Sequence, residues 1–156
     1  MNTLKTMLYM GVMHGFFTFY FPYRLASRDV PIINMGILQF SAIPFWIIGS
    51  LIIIHSSVDI IRRGRGTPAH LDPPKELVID GFYRYVRNPV YFGAILVLFG
   101  YILWFASAWL ILYTACAFAG FHLLIILIEE PFLKQKFGTV YKEYMKRVPR
   151  WIPRIN

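Results

Sequence analysis

Residues 81–93, which read Gly-Phe-Tyr-Arg-Tyr-Val-Arg-Asn-Pro-Val-Tyr-Phe-Gly, join a polar, turn-rich segment to the longest uncharged run of the chain. That run extends over 41 residues, from Asn88 to Ile128, and ends at two adjacent carboxylates, Glu129 and Glu130. A helix needs only about 20 residues to cross a bilayer, so a run of this length must fold back on itself. The fold-back returns Arg87 and Glu129 to the same membrane boundary, where we expect the chemistry.

The corner of this hairpin is predicted at residues 104–109, where Ser107 stands between two tryptophans. Tryptophan favours the membrane interface, and the two resulting spans, 88–104 and 109–128, must be antiparallel neighbours because almost no loop separates them. Glycines in such spans allow close helix approach, so we expect this role at Gly93, Gly100 and Gly120.

The rest of the chain also has the composition of a membrane protein. It is 57% hydrophobic and 15% charged, against roughly 25% charged in a typical soluble domain. Uncharged runs predict two earlier helices near residues 6–23 and 32–58, and Pro44 is expected to kink or divide the second. A cleaved signal peptide is less consistent with the aromatic exit of the first run, which has no small-residue cleavage site. We expect residues 1–156 to form one domain.

Positive charges lie almost entirely on one side of these four spans. Six Lys or Arg fall within residues 62–87, seven follow Ile128, and Lys5 joins them, which leaves only Arg24 and Arg28 opposite. This asymmetry predicts cytoplasmic termini and a cytoplasmic site, and it accounts for the net charge of +8 without nucleic acid. The basic side is expected to favour anionic membrane lipids.

Two regions outside the spans complete the predicted architecture. Residues 62–87 contain six Gly or Pro and are expected to form mostly loop. After Glu129, apolar residues recur at spacings of three and four with lysines between them, which predicts an amphipathic helix on the membrane surface, covering the site. The predicted fold is an all-α membrane protein with four transmembrane helices, a cytoplasmic loop and a C-terminal amphipathic surface helix.

The histidines and the single cysteine, Cys116, suggest no metal site. His14 is expected to hydrogen-bond to a neighbouring helix. His55 and Asp59, four residues apart, are expected to be interfacial, with Asp59 near Arg62 or Arg63. His122 and Glu129 are seven apart, which predicts one shared helix face.

An ordered set of motifs resembles a known family. The pieces are Asp72-Pro73-Pro74, the stretch 81–93, Glu129-Glu130-Pro131, Phe137-Gly138, Tyr141, Tyr144 and Val148-Pro149-Arg150-Trp151-Ile152-Pro153. Order and spacing together resemble the isoprenylcysteine carboxyl methyltransferase and phospholipid methyltransferase family of integral membrane enzymes. The resemblance covers residues from about 62 to the C-terminus.

The resemblance implies S-adenosylmethionine as the methyl donor. The family's arginine-histidine-proline-x-tyrosine-x-glycine motif corresponds here to Arg87, Asn88, Pro89, Tyr91 and Gly93, and its paired glutamates to Glu129 and Glu130. These are the expected donor-binding residues. Asparagine at position 88, in place of histidine, resembles the phospholipid-methylating branch and many bacterial members.

The expected acceptor is an amphiphile whose reactive head lies at the interface. An amine acceptor needs a base, for which Glu129 and His122 are candidates, whereas a carboxylate acceptor needs a cation such as Arg84. We expect catalytic roles at Arg87, Glu129 and His122. Glu129 and Glu130 would alternatively cap the surface helix. Competing functions are an NADPH-dependent membrane reductase of the sterol-reductase type and a non-enzymatic membrane scaffold or small transporter.

Overall fold

The computed structural model describes Leu8 and residues 11–64 and 74–154, and all regular structure within these ranges is helical. Helix α1 is π-helical over Gly11–Tyr20 and α-helical over Phe21–Ala26. Helix α2 begins as a 3₁₀ helix, Gly36–Ser41, and continues as an α-helix, Ala42–Arg62. The remaining elements are a 3₁₀ turn at Gly81–Arg84, α3 at Pro89–Phe105, α4 at Ala108–Leu124, a π-helical turn at Ile125–Glu129 and α5 at Glu130–Arg147.

The hairpin of α3 and α4 has its corner where the sequence predicts it. Ala106 ends α3 in the left-handed conformation (φ 47°), and the Ser107 hydroxyl accepts a 3.4 Å hydrogen bond from Leu110 N at the start of α4. The same hydroxyl donates to Asp29, and Ile32 N donates to Ala106 O over 2.8 Å. The connection between α1 and α2 therefore lies at this corner, and the chain alternates direction through four helices.

Helices α2 and α3 approach each other through facing glycines. A methyl group at Gly93 would lie 2.7 Å from Gly49 O, and one at Gly49 would lie 2.7 Å from Gly93 O. A methyl group at Gly100 would overlap the Trp46 ring. The expected close approach is confirmed at Gly93 and Gly100 but is wrong at Gly120, where no atom of the described residues lies within 4 Å of an added methyl group.

The boundaries of the second predicted span need correction. The expected helix over 32–58 begins at Gly36 and ends at Arg62. Pro44 lies in the first turn of the α-helical part, directly after the 3₁₀ segment, so it marks the division of this helix. The first residues of the span predicted at 6–23 lie outside the described part of the chain, as do His70 and Asp72 of the loop.

Two of the described helical stretches are long and apolar enough to cross a membrane. They are Gly36–Arg62, with 27 residues, and the continuous stretch Ala108–Arg147, with 40, whereas the apolar α3 has only 17. Large apolar side chains on these helices are exposed, for example Ile37 at 83% and Leu127 at 68%. A surface of this kind is typical of helices that face lipid.

The amphipathic helix predicted after Glu129 is α5. Its buried side chains Tyr141 and Tyr144 pack with Val148 and Leu77, so this face of α5 packs against the rest of the protein. Val140 is 61% exposed, although the sequence pattern placed it on the apolar face. Gly138 interrupts the helix with φ 54° and ψ −124°, a conformation that glycine adopts at little cost.

Candidate functional site

The charged end of the bundle is organised by the segment that connects the 3₁₀ turn to α3. Gly81 has φ +60°, and a side chain there would overlap Asp59 on α2. Asp59 is buried and lies 3.1 Å from both His55 Nδ1 and Arg63 Nε. Glycine at position 81 therefore lets the segment pass over the end of α2, and the predicted proximity of Asp59 to Arg63 is confirmed.

Glu130 is buried within an ion cluster that joins three parts of the chain. Its Oε1 accepts hydrogen bonds from Arg87 Nη1 at 2.9 Å and from Arg150 Nε at 2.8 Å, and its Oε2 accepts from Arg150 Nη2 at 3.0 Å. Lys134 Nζ lies 3.9 Å from Oε2. The hydrogen bond with Glu130 raises the pKa of the Arg150 guanidinium above its ordinary value. Glu130 is therefore fully engaged by arginines of the protein itself.

The C-terminal segment, residues 148–154, lies along the start of α3. Arg87 N donates to Pro149 O over 2.9 Å, and Arg154 N donates to Tyr85 O over 3.0 Å. The Asn88 side chain donates to Arg150 O over 3.2 Å. This pairing brings Arg150 to Glu130, so the ion cluster depends on residues distant in sequence.

Glu129 lies next to the ion cluster but has a different hydrogen-bond partner. The Tyr91 hydroxyl donates to Glu129 Oε1, and the Tyr91 ring stacks on Phe121 with centroids 4.7 Å apart. This places a carboxylate and a phenol between α3 and α4. Arg87, close by, has a buried Nε without a hydrogen-bond partner among the described residues. An anionic oxygen and an unused guanidinium N–H therefore occur at the same end of the helical bundle.

His122 contacts the C-terminal segment instead of Glu129. Trp151 Nε1 donates to His122 Nδ1 over 3.1 Å, which leaves the proton of a neutral imidazole on Nε2. The π-helical turn Ile125–Glu129 separates the two residues and adds one residue to the helical turn. It rotates Glu129 by roughly 100° from the face predicted by α-helical spacing. The expectation that His122 and Glu129 share a face fails for this reason.

The remaining predicted residues have structural contacts. Pro89 opens α3 and is fully buried, and Asn88 precedes it at the helix N-cap position. Gly93 faces Gly49 of α2, two positions along the helix from Tyr91 and therefore on nearly the opposite side. The structure thus pairs Tyr91 with Glu129 and Arg87 with the adjacent Glu130, and it directs Gly93 elsewhere.

Sequence reasoning gave no role to Arg150 or Trp151. Both belong to the motif at residues 148–153, but neither its order nor its spacing shows that Arg150 pairs with Glu130 and Trp151 with His122. The only available signal was the position of one more arginine after a helix that begins with two glutamates.

An all-helical chain with these motifs at one charged end has the character of a membrane methyltransferase. A model of the family described as phospholipid methyltransferase matches residues 38–140, about two thirds of the chain. The chain belongs to the phospholipid methyltransferase family, which confirms the resemblance seen in its motifs.

Curated relatives carry a related name. The chain is similar to a protein-S-isoprenylcysteine O-methyltransferase of Dictyostelium discoideum, at 29% identity over 89% of this chain and 70% of the relative. It is also similar to those of Arabidopsis thaliana (form B; 31% identity, 52% of this chain) and Schizosaccharomyces pombe (34% identity, 51% of this chain). The chain spans only 41% and 34% of these two relatives. No solved structure matches it.

Proposed function

We propose that this protein transfers the methyl group of S-adenosylmethionine to the polar head of a lipid-like acceptor, at the cytoplasmic face of a membrane. Family membership supports methyl transfer. The observation that carries the site is the grouping of Glu129, Tyr91 and the unused Arg87 Nε beside the Glu130 ion cluster.

The residues of this end fit the donor, which carries an ammonium, a carboxylate and a sulfonium. Glu129 supplies an anion for the ammonium, and the buried Arg87 Nε supplies a donor for the carboxylate. The sulfonium brings an activated methyl group. The protein's task is to align the acceptor with that group and keep water out, which requires neither a metal nor a covalent nucleophile.

The contacts divide the predicted donor-binding residues into two groups. Glu130 is saturated by Arg87 and Arg150, so we assign it to holding Arg87 in place. Asn88 and Pro89 form the start of α3. The Asn88 side chain also holds the C-terminal segment through its hydrogen bond to Arg150 O. Gly93 serves helix packing, and we leave it out of the donor site.

For the acceptor we propose an amine head group, with Glu129 as the base. A carboxylate acceptor, suggested by the names of the curated relatives, needs a free cation. Arg84, the predicted candidate, lines a separate cleft that does not include Glu129 or Tyr91. His122 Nδ1 accepts a hydrogen bond from Trp151 and Glu129 Oε1 accepts one from Tyr91, and we choose Glu129 as the base because it lies beside the residues proposed to hold the donor.

The pH dependence of the rate tests this choice. An amine must lose a proton before transfer, so we expect the rate to rise with pH as the acceptor deprotonates. A carboxylate acceptor is ionised throughout and would give a nearly flat rate between about pH 6 and 8, which contradicts the amine assignment.

The orientation is proposed from the charge asymmetry. Ser107 is buried, so Trp109, which is 56% exposed at the same corner, is the better labelling position. With Cys116→Ser as background, we expect Trp109→Cys to react with a membrane-impermeant thiol reagent only from the non-cytoplasmic side. Lys142→Cys on α5 is the matched control for the cytoplasmic side, and the reverse pattern would overturn the orientation.

The activity is tested by incubating purified protein with labelled S-adenosylmethionine and a total lipid extract, then identifying the labelled product. We expect the label in an amphiphile, because the acceptor enters sideways from the bilayer. Equal labelling of tail-free, water-soluble acceptors would contradict sideways entry. Binding of NADPH without binding of the methyl donor would favour the reductase, and binding of neither would favour the scaffold or transporter.

A further inference from the structure

We infer that a cleft beside α5 binds the phosphate of an anionic phospholipid, at a place separate from the proposed methyl-transfer site. The cleft lies between α5 and the segment from Ile79 to Arg84, and its volume is about 600 Å³. It is lined by Ile79, Arg84, Thr139, Val140, Glu143, Tyr144, Arg147 and Val148. Neither Glu129 nor any member of the Glu130 ion cluster belongs to it.

Two exposed guanidinium groups give the cleft its charge. Among the described residues, neither Arg84 nor Arg147 has a carboxylate within ion-pair distance. Glu143, the one acidic residue of the lining, pairs with Lys146 at 2.7 Å and also attracts Arg147 over a longer distance, so the two arginines of the cleft outnumber its single carboxylate but are not without a counter-charge. Two cations that share a cleft repel each other, and an anion between them removes that repulsion. Arginine also matches the oxygen geometry of phosphate.

The rim of the cleft favours a lipid over a free anion. Ile79 is 47% exposed and Val140 is 61% exposed, although both stand next to arginines in a basic region. These exposed apolar side chains suit the region below a phosphate, where the glycerol and acyl groups of a phospholipid begin. The Tyr144 hydroxyl donates a 2.7 Å hydrogen bond to Tyr83 O, and this bond fixes the Tyr144 side chain in the wall of the cleft.

Location supplies the last argument. Thirteen of the sixteen Lys and Arg residues lie in residues 62–87 and after Ile128, and α5 continues directly from the apolar α4. The cleft is therefore at the level where anionic head groups concentrate around basic segments. Bound lipid would hold α5 against the 3₁₀ turn that leads to Arg87.

The test uses the full chain in neutral detergent, with dioctanoylphosphatidylglycerol as the probe and thermal unfolding as the readout. A ligand of the folded state raises the unfolding midpoint with its concentration, which yields an apparent dissociation constant. We expect Arg84→Gln and Arg147→Gln each to raise that constant by about threefold to tenfold, and the double variant to abolish the response. Lys142→Gln, an exposed cation of α5 outside the cleft, is the matched control and is expected to change nothing.

The same titration with other probes separates the alternatives. Dioctanoylphosphatidylcholine places a trimethylammonium against the arginines, so we expect a much smaller response. An equal response to phosphatidylcholine, or to inorganic phosphate alone, would overturn the assignment of an anionic phospholipid. An undiminished phosphatidylglycerol response in the double variant would overturn the site. Because the readout involves no methyl transfer, its result is independent of the proposed function.

Discussion

The two ends of the helical bundle are closed in different ways. At the corner of α3 and α4, the chain turns at the left-handed Ala106, and the Ser107 hydroxyl caps Leu110 N and donates to Asp29 of the connection between α1 and α2. At the other end, Glu130 is buried with two arginines, and a second carboxylate, Glu129, lies beside them. Buried charge is costly unless it is paired, and the pairing of Glu130 with Arg87 and Arg150 compensates that cost at this end. The comparison separates an end that closes the fold from the end at which we propose the chemistry.

The largest expected effect concerns the Glu130 ion cluster. Glu130→Gln leaves the nearly buried Arg87 and the partly exposed Arg150 without a carboxylate, so we expect the free energy of unfolding to fall by at most about 3–5 kcal/mol, the cost of breaking a fully buried pair. Thermal or denaturant unfolding in detergent measures it. Glu143→Gln, which removes the exposed pair with Lys146, is the matched control, with an expected loss of about 0–1 kcal/mol. Equal small losses in both variants would mean that the cluster does not hold this end together.

The next prediction distinguishes the role of Glu129 from that of Glu130. Glu129→Gln keeps the side-chain shape and a hydrogen-bond acceptor for Tyr91 but removes the charge proposed to hold the donor's ammonium. We expect affinity for S-adenosylmethionine to fall about tenfold or more, which corresponds to the roughly 1.5–3 kcal/mol of a charged hydrogen bond. Calorimetric titration measures it, with the unfolding midpoint as the control for folding. Unchanged affinity would leave Glu129 only the role of capping α5.

A third prediction concerns the helices between the two ends. Gly93→Ala would put a methyl group 2.7 Å from Gly49 O, so α2 and α3 must separate. We expect a loss of about 1–3 kcal/mol in unfolding free energy. Gly120→Ala in α4 is the matched control, because nothing lies within 4 Å and alanine is the better helix former. If both substitutions stabilised the protein, the close approach of α2 and α3 would be in doubt.

Sequence reasoning located the corner at residues 104–109, because a 41-residue uncharged run can be divided only at its interfacial residues. It also predicted that Arg87 and the paired glutamates meet at one boundary, and the Arg87–Glu130 contact agrees with this. It could not divide roles between Glu129 and Glu130. That division depends on Arg150, which reaches Glu130 only because the C-terminal segment pairs with residues 85–88.

The wrong prediction that His122 shares a helix face with Glu129 has a different physical cause from the missed role of Arg150. Spacing arguments assume 3.6 residues per turn, and the π-helical turn at Ile125–Glu129 breaks that assumption. The local signal is Pro131, which has no N–H and whose ring crowds the carbonyl of Leu127 in that turn. The error at Gly120 is of the same kind. A glycine permits close approach, but whether a neighbouring helix lies in front of it is decided by the packing of the whole bundle.

The smallest expected effect lies at the corner and completes the comparison. Ser107→Ala removes the cap on Leu110 N and the contact with Asp29, which is partly exposed and can be satisfied by water. We expect a loss of about 1 kcal/mol in unfolding free energy. Ser41→Ala, which removes an exposed hydroxyl that donates to Leu38 O, is the control with little expected effect. Because α3 separates the corner from Glu129 by about 25 Å, affinity for S-adenosylmethionine should be unchanged in both variants. A loss of affinity in Ser107→Ala as large as that in Glu129→Gln would show that the two ends act together, and the separation of a closing end from a chemical end would fail.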